Sequence, residues 1–146
     1  MKMTWARLDG RDGHTVSREL LRELVGQLPP ILVAPQGKPY FETGDLRFSI
    51  SHTDRHAFCC VSEKNIGIDA EEMDRPISPA LRRMCSSGEL ARCHTDRDIL
   101  RLWVLKESWA KLTGRGVGNY LKDTDFCPDD SRILEIDGCF VAVMEE

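Results

Sequence analysis

No stretch of this chain stays apolar for the roughly 20 residues that a bilayer-crossing helix requires. The opening residues Met1-Lys2-Met3-Thr4-Trp5 lack the long apolar segment of a secretory signal. The expectation is therefore a cytoplasmic protein without a membrane partner. Positive charge is not in surplus either. Twenty Lys and Arg face 24 Asp and Glu, for a net charge of −4, which argues against a broad basic surface for nucleic acid. A local basic cluster (Arg82, Arg83, Arg92, Arg97 and Arg101) reads equally as a solvated helix face or as a docking patch. Among six cysteines there is no C-x-x-C pair, and adjacent Cys59 and Cys60 would point to opposite sides of a strand. Cys93-His94 has no second half. Reduced thiols are expected, with neither a zinc site nor disulfides.

Missing motifs narrow the chemistry further. There is no phosphate-cradling G-x-x-x-x-G-K-[ST] loop, no dinucleotide-binding G-x-G-x-x-G and no G-x-S-x-G nucleophile elbow. Gly114-Arg115-Gly116-Val117-Gly118 follows a helix where a phosphate loop would precede one. Repeats and low-complexity segments are absent too. What remains is one compact domain's worth of chain, 146 residues with 41% hydrophobic and 30% charged content, enough to bury a core.

The periodicity predicts an amphipathic helix over 15–28, with Val16, Leu20, Leu21, Leu24 and Leu28 on one face, capped by Thr15 or Ser17 and ended by Pro29-Pro30. A short strand over 31–34 and a Gly- and Pro-containing loop over 35–45 follow. Three apolar strands are expected at 48–51, 57–62 and 67–71, with a hairpin turn at Glu63-Lys64-Asn65 between the last two. Ser86-x-x-Glu89 reads as a capping box for a short helix. The main helix opens at Thr95 or Asp96, runs to about Thr113, and is stopped by Gly114-Arg115-Gly116. Two further strands, over 132–136 and 139–144, join at Asp137-Gly138, a strong hairpin signal. An antiparallel β-meander packed against a long helix implies the α+β class.

Two segments carry charge in an arrangement worth pursuing. Asp69 and Glu71 lie two apart in a strand, so both carboxylates point to the same face. On the main helix, Trp103, Lys106, Glu107, Ala110 and Lys111 share one side at helical spacing. Three carboxylates from Asp69, Glu71 and Glu107 converging without a partner would repel, each pair by roughly 4 kcal/mol at about 4 Å and an effective dielectric of about 20. A hard divalent ion such as magnesium would relieve that repulsion and favour a phosphate-bearing substrate. The competing reading is a solvated strand face, with Glu107 and the lysines forming ordinary surface pairs. His52 either donates to a phosphate or ends its strand in a turn.

Four segments in order resemble the 4′-phosphopantetheinyl transferase superfamily: Gly37-Lys38-Pro39, Phe48-Ser49-Ile50-Ser51-His52, Gly67-Ile68-Asp69-Ala70-Glu71, and Trp103-Val104-Leu105-Lys106-Glu107-Ser108-Trp109-Ala110-Lys111. The last is similar to the family's W-x-x-K-E-[SA]-x-x-K signature. The resemblance extends over about 15–118, and the G-K-P and S-H elements favour the two-lobed, broad-specificity branch in a shortened form. It implies a reduced N-terminal lobe over 1–45 and a core α+β lobe over 46–146 that carries the metal site. It also implies transfer of phosphopantetheine from coenzyme A to a serine of an acyl or peptidyl carrier protein, an activity of holo-[acyl-carrier-protein] synthase type. By resemblance, Asp69, Glu71 and Glu107 would hold magnesium (or manganese), and Glu107 would help deprotonate the serine. Lys111 would stabilise the leaving group, Ser51 and His52 would contact the coenzyme's phosphates, Lys38 its 3′-phosphate region, and Lys106 a further phosphate. A monomer or a homodimer fits. Two other readings stay open: a non-catalytic descendant that binds coenzyme A or a carrier protein, and an unrelated metal-binding structural domain.

Overall fold

The computed structural model describes residues 1–146. In chain order it contains β1 (Lys2–Arg7), α1 (Gly13–Val25), β2 (Ile31–Val33), β3 (Pro39–Phe41), β4 (Arg47–His52), β5 (His56–Ser62), β6 (Ile66–Glu72), α2 (Pro79–Arg83), α3 (Ser87–Ala91), α4 (Asp96–Thr113), β7 (Ile133–Ile136) and β8 (Cys139–Glu145). A 3-10 turn spans Asn119–Asp123. The expected α+β class holds. No helix is long and apolar enough to cross a membrane.

The strands form two three-stranded antiparallel sheets, ordered β1-β5-β4 and β6-β8-β7, and a separate β2-β3 ribbon. Strand alternation then sorts the side chains into layers. On β5, Ala57, Cys59 and Val61 face α1, where they meet Val16, Leu20 and Leu21. Phe58 and Cys60 face the other way, against Ile66, Ile68 and Ala70 of β6 and Cys139 and Val141 of β8. The opposite face of β8, carrying Phe140, Ala142 and Met144, packs under α4 and α2. The order through the molecule is helix, sheet, sheet, helix. Cys59 and Cys60 do point to opposite sides, and all six thiols are free.

Two features of the strands depart from the sequence-based expectation. The chain turns at Glu63-Lys64-Asn65, but β5 and β6 do not form a hairpin, because β6 leaves for the second sheet. β4 and β6 instead lie side by side at a seam bridged by side chains. The Ile68 amide donates to Ser49 Oγ (3.0 Å), and the Ala70 amide donates to Ser51 Oγ (3.1 Å). Second, β1 and β3 were not anticipated. β1 mixes polar and apolar residues without a strong strand pattern, and it owes its place to pairing with β5. β3 lies within the expected 35–45 loop. Its Pro39 is tolerated because the ribbon has only two strands, where a missing donor can face outward.

The caps behave as local chemistry dictates. Thr95 and Asp98 form a reciprocal capping box at the start of α4, Ser86 and Glu89 form another on α3, and Gly114 ends α4 in the left-handed region at φ 70°. α1 is capped by Asp12, whose carboxylate accepts from the Thr15 amide (2.8 Å), in place of the expected Thr15 or Ser17.

The contact that sets the site is the approach of α4 to β6. A Cβ on Gly67 would lie 2.1 Å from the Ser108 carbonyl oxygen and 2.5 Å from the Leu112 nitrogen. Ser108 Oγ donates to the Gly67 carbonyl oxygen at 2.9 Å. Only a residue without a side chain permits this spacing. Gly67→Ala is therefore expected to lower stability by roughly 1–3 kcal/mol through overpacking. The midpoint of urea unfolding checks this, and an unchanged midpoint would contradict so close an approach.

Candidate active site

Because α4 is held on β6, the faces of the two elements that carry charge meet in one cleft. Asp69 and Glu71 alternate out of β6 on the α4 side, and Glu107 and Lys111, one helical turn apart, come from α4. These four, with His14, Ile50, Ser51 and His52, line a cleft of about 300 Å³. A second cavity of about 240 Å³ shares Glu107 and Lys111 and is walled by Lys38, Pro39, Phe48, Ile50 and Val117.

Asp69 is 3% exposed and so does not belong to a solvated strand face. Its Oδ1 accepts from Lys111 Nζ at 2.7 Å and from Ser51 Oγ at 3.1 Å. Its Oδ2 is buried and has no partner. A buried carboxylate oxygen left unpaired is costly, and it is the kind of atom that a bound cation satisfies. Glu71 pairs with Arg75. Burial and the neighbouring Asp69 carboxylate push Glu71 up to about 7, while Arg75 and the Trp103 indole pull the other way. Glu107 is pushed up to about 8 by burial and by Asp69, against the opposing pull of Lys111. The raised values report an excess of buried negative charge, with Lys111 and Arg75 compensating part of it. All three donors are oxygens, so the donor chemistry of Asp69, Glu71 and Glu107 is the kind that suits a hard divalent ion.

The remaining predicted residues separate into those that reach the cleft and those that do not. His52 ends β4 and lies edge-on to His14, with ring centroids 4.8 Å apart. Burial, His14 and Lys111 lower its pKa. Ser51 is buried in the seam between β4 and β6, where it orients Asp69. Lys38 lines the second cavity, and its ammonium donates to the Ile66 and Leu112 carbonyl oxygens at 3.2 and 3.3 Å.

Lys106 is not brought to the cleft, although it shares the signature with Glu107. Its side chain is fully buried on another flank of α4, 2.7 Å from Glu89 Oε2 and 2.6 Å from the Leu121 carbonyl oxygen. The reason is that α3 and the 3-10 turn cover that flank, so a cation there becomes part of the core. The basic cluster is likewise largely committed: Arg82 pairs with Asp96, Arg92 with Asp125, and Arg101 with Asp98 and Glu135.

Sequence reasoning left His14 unplaced and passed over Arg75. Neither belongs to a local pattern. His14 arrives with the first turn of α1, and Arg75 meets Glu71 only because the chain turns after β6.

Two expectations follow. Lys106→Met should strand the Glu89 carboxylate and destabilise the protein by about 3–5 kcal/mol, as read by chemical denaturation, without altering ligand affinity measured on the folded fraction. The second concerns pH. With folded-state values of Glu71 and Glu107 above the ordinary 4.5, the native chain holds more protons than the unfolded chain between about 4.5 and about 8. Stability in chelator should therefore fall as pH rises across that window. Melting temperatures measured against pH should show the fall, and Glu107→Gln should flatten it.

A family model described as "4'-phosphopantetheinyl transferase superfamily" matches residues 65–140, the span from β6 into β8. A 4′-phosphopantetheinyl transferase from Bacillus subtilis is 37% identical over 92 residues, covering 58% of this chain and 41% of that protein. The 4′-phosphopantetheinyl transferase Sfp of Bacillus subtilis (strain 168) is 35% identical over 89 residues, covering 56% and 39%. The 4′-phosphopantetheinyl transferase gsp of Aneurinibacillus migulanus is 29% identical over 87 residues, covering 56% and 36%. The matched stretch thus spans about two fifths of the length of these relatives.

Proposed function

Because the chain belongs to the 4′-phosphopantetheinyl transferase superfamily, we propose that it transfers the 4′-phosphopantetheine arm of coenzyme A to a serine of an acyl or peptidyl carrier protein, with magnesium bound by Asp69, Glu71 and Glu107. The observation that carries this reading is the buried, partnerless Oδ2 of Asp69 in a cleft shared with Glu71, Glu107 and Lys111. Bound magnesium would supply charge neutralisation for the three carboxylates and for the coenzyme's pyrophosphate.

The chain's own groups then divide the work. Glu107, at the cleft wall beside Lys111, accepts the proton of the incoming serine hydroxyl. The serine oxygen bonds to the phosphorus that carries the pantetheine arm. The bond from that phosphorus to the bridging oxygen breaks, and 3′,5′-ADP departs. Lys111 stands at the cleft to neutralise the charge growing on the departing oxygens. His52 contacts the coenzyme's phosphates, Ser51 holds Asp69 in place, and Lys38 serves the 3′-phosphate region from the second cavity. On this reading the first 45 residues act as a reduced N-terminal lobe, and coenzyme A lies where α1 and β4 face β6 and α4.

The test is direct. Purified protein incubated with coenzyme A, magnesium and an apo carrier protein should increase the carrier's mass by one phosphopantetheine. Glu107→Gln, folded by circular dichroism, should slow the transfer by about 100-fold or more. Retention of full activity in Glu107→Gln would remove it as the base. No mass gain across several carriers, with coenzyme A still bound, would leave the non-catalytic binder as the reading.

A further inference from the structure

β6 serves a second cluster on its other face. Glu72 lies one residue beyond Glu71, so strand alternation turns it away from the cleft, toward β5 and β8. There it meets His56, the first residue of β5, and Cys139, the first residue of β8. His56 Nδ1 lies 3.0 Å from Glu72 Oε1, Cys139 Sγ lies 3.4 Å from His56 Nδ1, and Sγ lies 3.5 Å from Glu72 Oε2. All three side chains are buried, and one donor atom from each lies within 4.8 Å of the others. We propose that His56, Glu72 and Cys139 form a transition-metal site for zinc, distinct from the carboxylate cleft, that clasps the two sheets together.

Three observations support the assignment. The first is donor spacing. Around a tetrahedral zinc with bonds of about 2.0–2.3 Å, neighbouring donors lie roughly 3.3–3.6 Å apart. The Nδ1–Sγ separation of 3.4 Å matches this, Nδ1 and Sγ lie 3.0 and 3.5 Å from different oxygens of Glu72, and one donor atom from each residue lies within 4.8 Å of the others, so a rotation of the Glu72 carboxylate completes the set. The second is donor chemistry: imidazole, thiolate and carboxylate together select zinc over magnesium. The third is the support around the ligands. The other ring nitrogen of His56, Nε2, is bonded to Asp137 Oδ2 at 2.8 Å, and Asp137 is itself held by Arg7 through two bonds of 2.6 and 2.7 Å. A carboxylate on the far nitrogen fixes the imidazole's tautomer and orientation, as it does for most metal-bound histidines. Glu72 is similarly held by Thr53 Oγ1 (2.5 Å) and Arg55 Nη2 (2.9 Å).

An entry path exists. A solvent-open cavity of about 580 Å³ is lined by His56, Glu72 and Asp137, so a water can take the fourth position. On binding, the ion takes the places of the hydrogens on Nδ1 and Sγ, which leave as protons. The ligands come from β5 in one sheet and from β6 and β8 in the other, so the ion cross-links the layers that share the buried core of Phe58, Ile68 and Val141.

The test uses the full chain, stripped of metal and titrated with zinc against a chromophoric chelator and with cobalt(II) followed by absorption. One equivalent should bind beyond any held by the carboxylate cleft, cobalt in it should give a thiolate-to-metal charge-transfer band, and zinc should raise the melting temperature. The band should vanish in Cys139→Ser and persist in Cys127→Ser and in Asp69→Asn. Asp137→Asn keeps the side chain's shape but removes the charge behind His56, and should weaken affinity by about tenfold or more. That variant decides the matter if Cys139→Ser does not fold. Absence of a charge-transfer band in the unmodified chain overturns the site. So does a band that follows Cys127 or Asp69, and so does unchanged affinity in Asp137→Asn. None of these outcomes depends on phosphopantetheine transfer, so the two proposals stand or fall separately.

Discussion

The rest of the site depends on how closely α4 lies on β6. At Gly67 the helix backbone comes so near the strand that no side chain fits between them, and Ser108 bonds to the strand's own carbonyl. That contact sets the separation of two charged faces. With α4 further away, Lys111 could not reach Asp69, and Glu107 would lie in solvent as one more surface carboxylate. The close approach therefore turns two local patterns into one cleft, and it also buries them. Burial is what pushes Glu71 and Glu107 upward and leaves one Asp69 oxygen without a partner.

That cleft is strained electrostatically rather than sterically. Lys111 and Arg75 compensate for part of the negative charge, but three carboxylates meet two cations, and a fully buried oxygen of Asp69 remains unmatched. A site of this kind is less stable alone than with a cation, which is why its stability should depend on both pH and divalent ions. A simple structural ion pair behaves otherwise. Lys106 and Glu89, fully enclosed and joined by Thr124 and the Leu121 carbonyl, fasten α3 and the 3-10 turn onto α4 and leave no group facing a ligand.

β6 shows how much function one strand can distribute. Its odd-numbered positions from Gly67 to Glu71 provide the helix contact and two acids, while its even-numbered positions from Ile66 to Ala70 build the core between the sheets. Glu72 then ends the inner series with a polar residue. There it is held by His56, Thr53 and Arg55, and lies beside Cys139. The same period of two thus places carboxylates on both sides of a single strand, serving the cleft on one side and the clasp between the sheets on the other.

Much of this could be read from the chain itself. The helix of Val16, Leu20 and Leu21, the capping box at Ser86, the stop at Gly114 and the turn at Asp137-Gly138 each depend on residues a few positions apart. So does the common face of Asp69 and Glu71, since strand period is a local property. The order of four motifs along the chain was enough to suggest the family. Other features lay beyond any local pattern. Lys106 and Glu107 are adjacent, yet one enters the core and the other the cleft, because α3 covers one flank of α4 and β6 the other. β6 follows β5 with a turn between them, yet joins another sheet and pairs with β8, because β1 and β4 already occupy both edges of β5. His56, Glu72 and Cys139 have no motif spacing, since they meet from three strands across two sheets. Periodicity and capping are settled by neighbours in sequence, and the chain alone determines them. Which charged group is buried, and beside what, is settled by elements far apart in sequence that compete for the same surface, and only the tertiary structure decides it.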